Sequence, residues 1–429
     1  MAGQAFFQKI IQDIIASYWA IPATMVAVVF LLAPTTVWID ANFAAITDLL
    51  PDALLTTQVD GARTLLSTIA QSSIGVAGVM YSMTLVAVSF ASGNFGPRLI
   101  GNFMRDRGTQ LSLGWMLSSF VYALLVLRTV RDEGEPDGIL PDAFVPHLSL
   151  LVAILFALGS VWVMIYFIHH IPETISLSRI IATLGRRLDT AVRHLKGGSG
   201  SNPALVQLDN TGWRPDAKIE DATEVHFEDP GYIQTVNLVH MRRLAEQNDW
   251  HLEIRAMPGT FVDQETLIAL IWPQAAPVTD KQHGQVRACF AVGLGRTENQ
   301  NLLFLAEQLV EIIARALSPG INDPFTANTC LSWLHVALAS AIRSEQTAYR
   351  DPRDRVQAPI VSFLSLLHTA HGTSRTYLAS DPNVALHALA LLTRLAELTP
   401  PGPRQDAILT EHRLLTQEAK DQNPASTQI

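Results

Sequence analysis

Few side chains in this sequence have chemistry to offer, and the most ordered set of them is small and polar. Wound at about 100° per residue, Ser67, Gln71, Gly75, Gly78, Ser82, Ser89 and Gly93 fall within one narrow arc, with Leu85 and Val86 straddling the only gap. The surrounding stretch is apolar and long enough to cross a bilayer as a helix. Hydroxyls and an amide gain nothing from acyl chains, so such a stripe has to face protein or water. It is therefore either a packing seam, where glycine and serine let backbones approach, or the wall of a path lined by Gln71, Ser82 and Ser89. The two readings meet if copies of the helix surround an axis in an oligomer.

Three further groups carry chemical side chains. Arg98, Arg105 and Arg107 follow the striped stretch. They read as positive-inside anchoring, or as a ring of charge at a cytoplasmic mouth that favours anions. His169, His170 and Glu173 close the last apolar run. His169 and Glu173 can meet at i and i+4, whereas adjacent histidines point about 100° apart and do not readily share one ion. An interfacial structural role, proton sensing and a metal site are the readings, with the geometry against the metal. In the phrase SPGINDP, Asp323 suits a helix N-cap and Pro324 the first helical position. Capping accounts for Ser318, Asn322 and Asp323; a ligand or anion on that helix start is the alternative.

No GxSxG, HExxH or P-loop phrase is present, and GLGR lacks the third glycine of a dinucleotide fingerprint. No catalytic residue, metal or cofactor is expected, and an enzyme is disfavoured. Cys289 and Cys330 form no CxxC or Cys/His cluster, which fits a reduced compartment. The net charge of −9, with no basic run, argues against nucleic acid.

The elements that must position these groups follow from patterning. Of 429 residues, 48% are hydrophobic and only 16% charged, and the apolar ones concentrate before Arg179. Residues 1–18 alternate Phe6, Phe7, Ile10, Ile11, Ile14 and Ile15 with polar groups at helical spacing. They read as an interfacial amphipathic helix and lack the basic start and cleavage site of a signal peptide. Within 19–170 four spans follow, near 19–39, 65–91, 111–127 and 148–168. The first and third links are acidic, while arginines follow spans two and four. The positive-inside rule then puts both termini in the cytoplasm.

After the spans come a connecting helix and the GGSGSNP linker over 171–203, a β-rich subdomain over 204–296, a helical subdomain over 297–420 and a disordered tail over 421–429. In the β-rich part, strands are expected near 251–255 and 267–271 and a helix over 238–247. In the helical part, helices are expected over 302–316, from 324, and over 358–378, 383–398 and 406–420. The turn in MPGTFVDQETLIAL resembles that of lipoyl-like barrel-sandwich domains but has no attachment lysine, so it reads as scaffold. The fold class is thus an α-helical integral membrane protein: four transmembrane helices behind an interfacial helix, then a cytoplasmic α+β domain.

Three segments carry a family resemblance: SFASGNFGPRLIGNFMRDRGTQLSLGWMLSSFVYALLVLRTVRDE, VPHLSLLVAILFALGSVWVMIYFIHHI and RALSPGINDPFTA. Together they resemble the bacterial family catalogued as domain of unknown function 2254, predicted membrane proteins. The resemblance covers most of the chain and implies an inner-membrane location, but no established activity comes with it. The family pattern has RT…QD before the long soluble helix; here the segment is RTENQN, with Asn301 in place of the aspartate. Four spans without an internal repeat are too few for a secondary carrier. The expectation is a homo-oligomeric channel or pore in the lipid bilayer, conducting ions and gated by its cytoplasmic domain. The alternative is a non-transporting sensor or scaffold that signals to a cytoplasmic partner.

Overall fold

The computed structural model describes residues 17–43, 58–95, 106–132, 144–194, 219–273, 277–298, 300–343, 355–358 and 361–424. The interfacial helix expected before Ser17, Arg98, Arg105, the GGSGSNP linker and the last five residues lie outside these. The chain divides into two compact units that separate at Ser176 and Leu177.

Among the described residues the first unit has four long helices: α1 (Ala20–Asn42), α2 (Val59–Phe95), α3 (Arg107–Leu127) and α4 (His147–Ile175). Their leucine-, valine- and alanine-rich runs pair backbone groups within the helix, which suits a medium without water. Pro34 interrupts that ladder in α1, and the neighbouring hydroxyls of Thr35 and Thr36 donate to the carbonyls of Leu31 (2.6 Å) and Ala33 (3.0 Å). At 37 residues α2 overruns the stretch expected from hydropathy at both ends. Its length of about 55 Å exceeds the ~30 Å hydrocarbon core. α3 is the central helix. It packs against the other three, with Tyr122, Ala123 and Val126 buried among Ala62, Leu66, Val29 and Leu150. α4 continues through Pro172 to Ile175, so the connecting helix begins later than 171.

The second unit opens with α5 (Leu177–His194), whose buried Ile180, Ile181, Leu184, Leu188 and Val192 recur at helical spacing. Its β part comprises β1 (Thr223–His226), β2 (Gly231–Val236), α6 (Leu238–Asn248), β3 (Trp250–Ile254), β4 (Phe261–Val262), β5 (Leu267–Pro273), α7 (Asp280–Arg287) and β6 (Phe290–Gly293). The helical part comprises α8 (Leu302–Ala316), α9 (Pro324–Arg343), β7 (Val356–Gln357), α10 (Phe363–Leu367), α11 (Arg375–Ser380), α12 (Pro382–Leu398) and α13 (Pro403–Gln422). Among the described residues the strands form two sheets, in the orders β1-β5-β3-β7 and β4-β2-β6. Ile233, Leu252, Ile271 and Val286 share one core between them.

Three expectations change here. The larger sheet is not confined to 204–296, because β7 pairs in parallel with β3, Leu252 against Val356 and Glu253 against Gln357. The single helix expected over 358–378 is broken. Residues 356–357 are spent on β7, Ser362 caps a new start, and His368–Gly372 forms a π-turn closed by Thr373 N–H on the His368 carbonyl (2.9 Å). Asp421 and Gln422 belong to α13 and not to a tail.

Among the described residues five helices are long and apolar enough to cross a membrane: α1 to α4 and also α9. The span count is therefore not fixed at four by length and composition. α9 earns its place through alanines and leucines that bury inside the second unit, against α5, α8 and α12.

Candidate functional site

The striped helix α2 has two unlike faces. Leu66, Ala70, Ser73, Ala77, Met80, Thr84 and Ala87 are buried against the bundle, and the Ser73 hydroxyl meets that of Ser119 on α3 at 3.1 Å. Gln71, Gly75, Gly78, Ser82, Ser89 and Gly93 are all exposed. A Cβ built on Gly75, Gly78 or Gly93 meets nothing within 4 Å. Among the described residues, no other helix of this chain covers the stripe. Ser82 spends its hydroxyl on the Gly78 carbonyl (2.9 Å), which leaves the Gln71 amide as the stripe's most polar group.

At one end of the unit, Asp106 caps α3. Its carboxylate accepts from the Thr109 amide (2.8 Å) and hydroxyl (2.6 Å), and the same oxygen lies 2.7 Å from Nε2 of His170 on α4. Nδ1 of His170 is 3.2 Å from the Tyr166 hydroxyl, and the two rings stack at 5.0 Å. Gly108 allows this approach: a Cβ there would stand 2.5 Å from both His170 Nε2 and the Tyr166 oxygen. Burial alone would push the Asp106 carboxyl up, but the Thr109 donors and the His170 ring outweigh it and hold the carboxyl below its ordinary value. An ionised acceptor requires the proton on Nε2. Nδ1 then accepts from Tyr166 in the neutral ring and donates in the cationic one. The arrangement is a carboxylate–imidazole–phenol chain that ties the start of α3 to α4.

The expected trio divides. His170 joins Asp106, while His169, 80% exposed, pairs with Glu173 at 3.4 Å. Arg107 is exposed beside the cap. Asp106 went unrecognised in the sequence, although an aspartate three residues before a threonine at a helix start is a capping signal. Tyr166 carried no signal beyond its place one turn before His170.

The opposite end is tied by Asp40, in the last turn of α1. Its carboxylate accepts from the amides of Leu148 (2.8 Å) and Ser149 (2.9 Å) and the Ser149 hydroxyl (2.8 Å), which caps α4 from α1. Beside it the hydroxyls of Thr36 and Tyr122 meet at 2.9 Å. Asp40→Ala orphans these donors, and we expect a loss of about 2 kcal/mol. In detergent the variant should melt earlier than Asp40→Asn, which keeps one acceptor oxygen; equal melting of Asp40→Ala and the parent would refute the cap.

In the second unit the SPGINDP residues are consumed by the turn. Asp323 accepts from the Thr326 amide (3.1 Å) and hydroxyl (2.6 Å), Ser318 donates to the Arg315 carbonyl (2.6 Å), and Asn322 sits at φ 49°. Asn301 caps α8 through the Phe304 amide (3.1 Å) and lies over Gly259 (φ 94°), where a side chain would collide with it. The cap needs an oxygen acceptor and not a charge, so asparagine serves where the family pattern has aspartate. Gln300, at φ 56°, binds the Val236 amide (2.7 Å) with its side-chain oxygen. No group of three or more His, Cys, Asp or Glu among the described residues could hold a metal ion.

Residues 15–394, which run from ahead of α1 into α12, match the family described as "Predicted membrane protein (DUF2254)". The chain is similar to an uncharacterized protein of Mycobacterium bovis and to another of Mycobacterium tuberculosis strain H37Rv. Each is 28% identical over 368 residues, covering 84% of this chain and 68% of the relative. No solved structure matches. A family match across both units, over helices able to span a bilayer, places the protein: it belongs to the DUF2254 family of predicted membrane proteins.

Proposed function

We propose that this membrane protein is the subunit of a homo-oligomeric ion channel or pore of the bacterial inner membrane. In this reading α1 to α4 are its spans, both termini are cytoplasmic, and the second unit is a cytoplasmic regulatory domain. The observation that carries the reading is the outward-facing stripe of α2. In lipid an exposed Gln71 amide is costly, and rows of exposed glycine invite a second backbone. Copies of α2 around an axis answer both, with Gln71, Ser82 and Ser89 toward water. Arg107, with Arg98 and Arg105, then supplies positive charge at the cytoplasmic mouth and favours anions. The polar contacts of α9 support keeping it out of the bilayer: His335 is buried, and Ser340 donates to Asp189 of α5 (2.5 Å).

Electron microscopy of the detergent-purified protein at side-chain resolution tests this. A symmetric ring with the stripe on a continuous axial opening is the expected result; a monomer, or a dimer with the stripe sealed, overturns it. The Asp106–His170–Tyr166 chain, which ties α3 to α4, favours a second reading, a non-transporting sensor or scaffold that signals to a cytoplasmic partner. That reading predicts a stable partner after gentle solubilisation and no ion flux.

A further inference from the structure

His371 sits in the π-turn of the helical part, 1% exposed, and neither of its ring nitrogens has a partner among the described residues. His335 on α9, 9% exposed, interacts electrostatically with it and has its Nδ1 buried without a partner. A neutral imidazole carries one donor and one acceptor, and leaving both unmade in a packed interior is destabilising. A π-turn is itself a wide, weakly bonded interruption in a helix, and such segments recur at functional sites.

The charges around the pair share one sign. Arg343 on α9 and Arg394 and His387 on α12 all act on His335. On α8, which packs on the turn, Glu307 pairs with Arg296 (2.6 Å) and Oε1 of Glu311 lies 3.6 Å from Arg315. On α5, Asp189 is held by Ser340 and Arg193. Among the described residues, the groups that act on either ring are thus cations or other imidazoles. Burial, and then the field of His335, push His371 from its ordinary 6.5 down to about 4.

We propose that His371 and His335 form an acid-operated release in the second unit: protonation of the buried rings frees the π-turn from α8 and α9 and opens residues 366–374 while the sheets stay folded. The sign follows from linkage. A base whose folded-state affinity for protons is depressed contributes stability above its ordinary pKa and loses it as pH falls toward the depressed one. The closed turn is therefore secure above pH about 6.5 and weakens progressively toward pH about 4. The device does not depend on whether the protein conducts.

Hydrogen exchange of the full-length protein in detergent, corrected for intrinsic rates, reads the opening directly. From pH 7 to pH 5, peptides over 366–374 should lose protection about twentyfold, with β2 and β5 unchanged. His371→Phe should flatten the response. His335→Gln, which removes one charge and keeps His371, should shrink the response without abolishing it. The proposal falls if the parent protein shows no local loss, if β2 and β5 lose protection equally, or if His371→Phe responds in full. An unchanged response in His335→Gln would also overturn the pairing.

Discussion

Ser82→Asp is expected to cut anion conductance of the reconstituted protein roughly tenfold or more and to shift its selectivity toward cations. In the proposed homo-oligomer the substitution repeats in every subunit, so one serine would become a ring of negative charge around the axis. At an effective dielectric of about 20, one such charge about 6 Å from a passing ion contributes ~3 kcal/mol, and a tenfold effect needs only about 1.4 kcal/mol. Ser82 suits the test because it is exposed and its hydroxyl bonds only within its own helix, so the fold does not depend on it. Conductance in planar bilayers, with assembly checked in the same preparation, decides. An assembled variant that conducts like the parent would remove Ser82 from the path.

Arg375→Ala is expected to cost about 3 kcal/mol, the largest loss of stability we foresee for one side chain. Its guanidinium spans both oxygens of Glu411 (2.9 and 3.0 Å) and one of Glu418 (3.1 Å), and so joins α11 to α13. Glu411 is only 9% exposed, so deletion of the arginine leaves a buried carboxylate beside a second one. Exchange protection in α11 and α13 should fall about a hundredfold at neutral pH. Arg375→Lys should restore only part of it, because an ammonium cannot reproduce the planar fork. Protection that survives Arg375→Ala would show the network to be incidental.

What was legible in the sequence was whatever repeats. The apolar runs of α1, α3 and α4, the 3.6-residue face of α8 and the Asp323–Pro324 start of α9 are local signals, and the structure forms those helices. The arc on α2 was also readable, but periodicity says which residues share a face and not what that face meets. Contacts across long separations were not readable. Asp40 and Ser149 lie on different helices, as do Asp106 and His170, and nothing local marks either pair. The π-turn escaped because it disrupts a period, and so did the standing of α9 as a fifth candidate span, because alanine and leucine serve a buried soluble helix and a membrane span equally well.

The parallel pairing of β7 with β3 has a consequence for how the chain is made. A ribosome that has completed β6 has delivered three strands of the larger sheet, in the order β1-β5-β3, and left the outer side of β3 open. The Leu252 amide waits for the Arg355 carbonyl (2.8 Å), which emerges only after α8 and α9 have been synthesised. Through that interval the nascent chain displays a bare strand edge of the kind that recruits other chains. A gene divided between the sheets and the helices would make that exposure permanent, so the two parts of the second unit have to be inherited, expressed and folded together.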